Sequence, residues 1–367
     1  MTTLACGMAL LAWAVAAYPA TPAKAAIADI VQTAIGPWIE KEKPPGVIVV
    51  VRHDGRTQFF PFGQANKALN QAVTADTIFE LASITKVFTT TSLAMEVRAG
   101  KMRLDDRVEQ YLPYLRQNGG DIKKVALLQL ATHSSSLPRT PGKPPSDRDW
   151  DKESLLRWLA QWHAPYPPGS KSLYSNLGVG LLGLAIEEHD QQPLIDVWKR
   201  QFLGPLGMHH TFFEIPPDAA NLVVQGYGPK GLPVKQTPPG AWPAGGRLHS
   251  SARDMGEFLA ANLGERPDHP RIMKAMRFAQ EPYFKVSAKM TQGLAWQRLN
   301  LAGEFVIDKN GGLAGTSTYI GMLPERHIGV VVMANRGKCS ATAVGRKLLL
   351  ALAGKQHPGG DSDEEDQ

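Results

Sequence analysis

Ser83-Ile84-Thr85-Lys86 opens a stretch in which Ile84, Val87, Phe88 and Met95 recur at helical spacing up to Gly100. Three residues apart on a helix, the Ser83 hydroxyl and the Lys86 amine share one face. The first turn of such a helix also offers free N–H groups and positive potential to a developing anion. A serine hydroxyl is a weak nucleophile until a neighbour takes its proton, and a lysine held in a dry pocket can have its pKa lowered enough to do so. A Ser-x-x-Lys tetrapeptide arises readily by chance, so it needs company. Two further clusters supply it: Tyr174-Ser175-Asn176 ahead of the small-residue run Leu177-Gly178-Val179-Gly180, and Lys309-Asn310-Gly311 followed by Gly312.

These groups lie far apart in the chain, and only a folded framework can bring them together. From Gly46 the pattern is β-rich: Val47 to Val51, a turn at Asp54-Gly55, then Thr57 to Phe62, which reads as a hairpin. Between Ser83 and Met208 apolar residues recur at helical spacing, as in Leu155, Leu156, Leu159 and Trp162. Strand signals return at 295–301, 304–308, 316–322 and 328–334, and a helix is expected over Ala341 to Leu352. The chain thus leaves a sheet, builds a helical region and comes back. We expect an α/β (α+β) fold: an antiparallel sheet flanked by helices, from residues 26–80 and 210–355, and an all-helical domain from 81–209. Lys309 falls in a strand context and Ser83 at a helix start.

Composition narrows the functions available. The 367 residues are 43% hydrophobic and 20% charged, with 40 Lys and Arg against 34 Asp and Glu, a net charge of +6. The basic residues are spread along the chain without a basic run, which argues against nucleic-acid binding. Cys6 and Cys339 are the two cysteines. There is no CxxC, no HExxH and no GxGxxG after a strand, so neither a cysteine zinc site nor a dinucleotide is implied. Ala5 to Ala17 is apolar but too short to span a bilayer, and Ala23-Lys24-Ala25 follows it as a cleavage-like signal. Residues 1–25 are therefore expected to be an export signal, with a periplasmic mature chain that has no membrane span, and 356–367 a solvated acidic tail.

The three patterns S-x-x-K, Y-x-N and K-x-G, in that order, resemble the serine penicillin-recognising enzymes, and among them class C β-lactamases most closely. Phe79-Glu80-Leu81-Ala82, Leu104-Asp105-Asp106 with Tyr111-Leu112-Pro113, and Ser250-Ser251-Ala252-Arg253-Asp254-Met255 carry the same resemblance over about residues 45–355. It implies a β-lactamase/penicillin-binding-protein-like fold and hydrolysis of β-lactam antibiotics through a covalent acyl-serine. Ser83 would be the nucleophile and Lys86 its partner. Tyr174 would be the general base, its phenol acidified by Lys86 and Lys309, though the first proton could go to lysine or tyrosine. Asn176 would orient Lys86 and the substrate amide, and the N–H groups of Ser83 and Gly312 would form an oxyanion hole. Neither cofactor nor metal is expected. The substrate would be a small β-lactam or a peptidoglycan-derived molecule, and the protein a monomer.

The chain departs from the class C pattern around the substrate. Asn310 replaces the threonine of K-T-G, Thr140 stands where an amide-binding glutamine is usual, and Ser340 and Ala343 stand where an asparagine and an arginine help hold the substrate acid. Arg346, one helical turn on, is expected to compensate, with Asn310, Gly311 and Gly312 completing the substrate contacts. Gly245 replaces a loop tyrosine, with Trp242 nearby. A D-alanyl-D-alanine carboxypeptidase, an esterase of the same fold and a non-catalytic penicillin or muropeptide sensor remain alternatives. His133, His209-His210, Trp296 and Cys339 are read as structural.

Overall fold

The computed structural model describes residues 24–143, 150–236 and 240–357. Most of the expected export signal and the acidic tail from residue 358 lie outside the described residues. Nine strands form one antiparallel sheet: β1 (Gly46–His53), β2 (Arg56–Asn66), β3 (Gln71–Ala72), β4 (Phe284–Lys285), β5 (Met290–Gln292), β6 (Gln297–Leu301), β7 (Glu304–Leu313), β8 (Thr316–Leu323) and β9 (Ile328–Ala334). Their order is β3-β2-β1-β9-β8-β7-β6-β5-β4, so strands from the two ends of the chain meet where β1 pairs with β9. The β1–β2 hairpin turns at Asp54 and Gly55, both with positive φ (46° and 73°), as a two-residue turn matched to strand twist requires.

The run Val47–Val51 is buried on both faces because helices cover both sides of the sheet. Val47, Val49 and Val51 face outward, against α1 (Lys24–Glu42) and the C-terminal helix α5 (Ala341–Leu352). Ile48 and Val50 point the other way, into the larger core beneath α2 (Thr85–Arg98) and α4 (Ala252–Asn262). There Phe88 stacks on Phe258 with ring centres 3.9 Å apart, joining α2 to the helix that underlies β1 and β9.

α2 is buried through its first three turns, polar residues included. Its hydroxyls find carbonyl partners: Thr89 donates to Ala244 at 2.9 Å and Thr90 to Leu294 at 2.8 Å. Buried polar groups must be satisfied in this way. Packed beside α2 is α3 (Asn176–Asp190), capped by Ser175, whose Oγ accepts the Gly178 N–H at 2.8 Å. The small residues Gly180 and Gly183 leave room on α3 for the segment Trp242–Gly246. A Cβ on either glycine would lie 2.3 Å from a carbon of Trp242 or Ala244.

Candidate active site

Ser83 sits in a short 3-10 turn, Ala82–Ile84, that runs into α2. The residue before it, Ala82, holds φ at +50°, a conformation non-glycine residues avoid. Surrounding bonds impose it: Leu81 N–H donates to Leu248 O at 2.8 Å, Thr85 Oγ1 donates to Ala82 O at 2.6 Å, and Thr85 Oγ1 accepts Leu248 N–H at 3.0 Å. The outcome is a serine whose main chain is held from three sides.

Lys86 lies one turn further and is fully buried. Its ammonium donates to Ser83 Oγ at 3.0 Å, Asn176 Oδ1 at 2.7 Å and Gly245 O at 2.5 Å. Tyr174 enters from the residues just before α3 and donates to Ser83 Oγ at 2.5 Å. Two ammonium groups flank its ring, Lys86 at 4.8 Å and Lys309 at 4.9 Å from the ring centre. Lys309 reaches this position from β7, where strand alternation sends it to the helical side of the sheet and its neighbour Asp308 to the other.

β7 also brings its main chain against Ser83. A Cβ on Gly311 would lie 2.5 Å from Leu81 O and 2.9 Å from Ser83 N, so only glycine permits this approach. Thr318 on β8 secures it, donating to Leu81 O at 2.9 Å. Between β7 and the helical side opens a cavity of about 900 Å³, lined among others by Ser83, Tyr174, Asn310, Gly311 and Gly312. Asn310 keeps a buried side-chain oxygen without a hydrogen-bond partner there.

Two expected substrate contacts fall elsewhere. Arg346 turns from α5 toward the outer side of the sheet, where its guanidinium meets the buried Asp308 carboxylate at 2.8 Å and Tyr319 OH donates to the same carboxylate at 3.2 Å. A buried carboxylate requires such a partner, and this requirement, rather than substrate, fixes Arg346. Thr140 is not among the residues lining the cavity, whereas Arg139 is, with Cζ 5.4 Å from the Tyr174 ring centre. The motifs gave no sign of Arg139 or of Lys338, which lines the opposite wall. Gly245 was noted in sequence only for its missing side chain; its carbonyl is what reaches Lys86.

His133 packs on Tyr174, with ring centres 4.5 Å apart. Burial, and then the charges of Lys309 and Lys86, hold its imidazole well below the ordinary histidine value, so it is neutral. Nδ1 accepts the Ser175 N–H at 3.3 Å. Trp296 is fully buried, in keeping with a packing role. Away from the serine, Glu96, His189 and Asp190 lie within ligating reach of one another, but Lys101 and Arg200 already pair with the two carboxylates.

Comparison with known proteins places this geometry. The β-lactamase family model matches residues 25–355. A β-lactamase of Lysobacter lactamgenus is 28% identical over 346 residues, covering 86% of this chain and 88% of its own. One from Escherichia coli K12 is also 28% identical over 346 residues, covering 84% and 89%. Among solved structures, a mutant class C β-lactamase superposes with a TM-score of 0.81 at 27% identity, covering 89% of this chain and 97% of its own. The class C enzyme of Rhodobacter sphaeroides gives 0.77 at 30%, covering 88% and 99%. With the family model spanning nearly the whole described chain, and the same fold in class C enzymes, the protein belongs to the β-lactamase family of serine penicillin-recognising enzymes, close to class C.

Proposed function

We propose that the protein is a class C-like serine β-lactamase that hydrolyses β-lactams through an acyl-enzyme on Ser83. The observation that carries this reading is the Tyr174–Ser83–Lys86 cluster, in which one serine oxygen meets both a phenol and a buried ammonium. Lys86, held by Ser83, Asn176 and Gly245, is read as the electrostatic partner of the serine. Tyr174 is then the base. Lys86 and Lys309 lie beside its ring, and once the phenol has lost its own proton the Ser83 hydroxyl can donate across the same 2.5 Å contact.

In this reading the Ser83 oxygen attacks the lactam carbonyl while its proton passes to Tyr174. The Ser83 and Gly312 N–H groups bind the oxyanion, and Tyr174 returns the proton to the lactam nitrogen as the ring C–N bond breaks. Water, deprotonated by the same phenolate, then cleaves the ester and regenerates Ser83. Asn176 holds Lys86 and meets the acylamino group of the substrate. The lysine at position 309 favours this activity over the peptidase and esterase alternatives, which the resemblance associates with histidine or tryptophan there. The short apolar N-terminal run and the signal at Ala23 to Ala25 support a periplasmic location, and no helix among the described residues is long and apolar enough to cross a membrane. The test is turnover of a chromogenic cephalosporin by the purified protein, with mass spectrometry locating the acyl group on the peptide that contains Ser83. Acylation without turnover would identify a sensor instead.

A further inference from the structure

Across the cavity from Tyr174 lies the loop between β9 and α5, which the chemistry above leaves unused. Lys338 and Ser340 in this loop both hold positive φ, +57° and +54°, which costs energy in any residue with a side chain. The backbone around them is fastened at several points. Gly337 N–H donates to Tyr227 O at 2.9 Å, Cys339 N–H to Ser317 Oγ at 3.2 Å, and Trp38 Nε1 to Cys339 O at 2.6 Å. The Arg336 guanidinium adds bonds to the carbonyls of Glu42 and Pro229. A loop tied down so firmly fixes the main chain from which its exposed cation, Lys338, extends. Lys338 lines the cavity and makes no ion pair among the described residues.

Arg139 lines the same cavity from the helical wall and is also exposed. Its backbone carbonyl accepts the N–H groups of Asn176 and Leu177, both at 3.1 Å, which fixes it to the start of α3 beside Tyr174. Among the described residues lining the cavity there is neither aspartate nor glutamate. A cleft lined by cations from two elements attracts anions. In a penicillin the ring carboxylate lies on the amine side of the scissile bond and the acylamino substituent on the carbonyl side. With Lys338 on the sheet wall to receive the first, Arg139 across the serine is placed for an acid on the second.

We propose that this site is built for β-lactams carrying two acid groups. Lys338 holds the ring carboxylate, taking over from the residues replaced by Ser340 and Ala343, and Arg139 holds a second carboxylate on the acyl side chain. The assignment rests on the β-lactamase reading. It names the substrate class within it.

Benzylpenicillin and α-carboxybenzylpenicillin differ only by a side-chain carboxylate, and steady-state kinetics with both tests the proposal. Wild type is expected to favour the dianion in kcat/KM by about tenfold or more, the worth of one charge-assisted hydrogen bond. Arg139→Ala brings that ratio to about one, since the acid then has no cation to meet. Lys338→Ala lowers kcat/KM for both penicillins in parallel, and Lys338→Arg restores most of it. A wild-type ratio at or below one, or a ratio unchanged in Arg139→Ala, overturns the second-acid assignment while leaving the β-lactamase reading in place. Unchanged kcat/KM in Lys338→Ala overturns the role of that lysine. Failure of either penicillin to acylate Ser83 overturns the β-lactamase reading and this proposal with it.

Discussion

The two walls of the cavity are built on different principles. On the Ser83 side the geometry is fixed from within the protein: Lys86 meets Ser83, Asn176 and Gly245, Ala82 is held in a strained conformation by its neighbours, and Gly311 leaves no room for a methyl group. On the side that receives the rest of the substrate, Lys338 and Gly312 are exposed and Asn310 retains an unpartnered oxygen. The first wall is preorganised before anything binds. The second is left open so that substrate completes it. Groups that act on charge in the transition state must be fixed in advance, whereas groups that choose among substrates need only differ in what they reward.

That contrast can be broken most decisively at the nucleophile. Ser83→Ala is expected to abolish turnover of a chromogenic cephalosporin and acylation by mass spectrometry, with an unchanged circular dichroism spectrum. Tyr174→Phe keeps the ring between Lys86 and Lys309 but removes the proposed base, and should lower kcat by roughly 10²–10⁴-fold, with deacylation slowed at least as much as acylation in stopped-flow traces. Wild-type turnover in this variant would remove Tyr174 from its role.

A subtler break acts through packing. Gly183→Ala would place a methyl group 2.3 Å from the Ala244 Cβ, displacing the segment whose Gly245 carbonyl holds Lys86. Overpacking of this kind costs about 1–3 kcal/mol. Both the melting temperature and kcat should fall, with KM the least affected.

On the open wall the expected effects are smaller and of either sign. Asn310→Thr supplies the hydroxyl that the class C pattern has there, and should raise kcat/KM for ordinary penicillins by roughly 2–10-fold, the worth of one net hydrogen bond. If it lowers kcat/KM across a panel of β-lactams, Asn310 is instead adapted to this enzyme's own substrates.

The smallest effect on the site concerns pH. Burial pushes His249 from 6.5 down to about 4, and His133 shifts in the same direction. Between those values the unfolded chain binds a proton that the folded chain does not, so stability is full above pH ~6.5 and falls as pH drops toward 4. For His249 the loss is on the order of 3 kcal/mol. The carboxyls of Asp254 and Glu187, raised by burial, act in the opposite sense. Denaturant melts from pH 7 to 4 should therefore show a shallower loss in His249→Gln than in wild type.

The β1–β2 hairpin, the strands from 297 to 334 and the bounds of the C-terminal helix, Ala341–Leu352, follow from local patterning, because strand alternation, turn residues and helical periodicity are properties of short segments. That Ser83, Lys86, Tyr174 and Lys309 meet in space was legible for a related reason: the proposed chemistry demands particular residue types at set spacing. What the sequence could not determine depended on which distant group needed a partner. Arg346 lies within a turn of the positions from which it was expected to meet substrate, yet the buried Asp308 holds it on the far side of the sheet. Arg139 rather than Thr140 lines the cavity because the start of α3 captures its carbonyl. Gly245 matters for its carbonyl, which any residue type would offer, and Lys338 for a loop fixed by Trp38, Tyr227 and Ser317. Backbone acceptors and long-range ion pairs leave no periodic trace in a sequence. Only the packed chain, in which most buried polar groups find a partner, decides where they act.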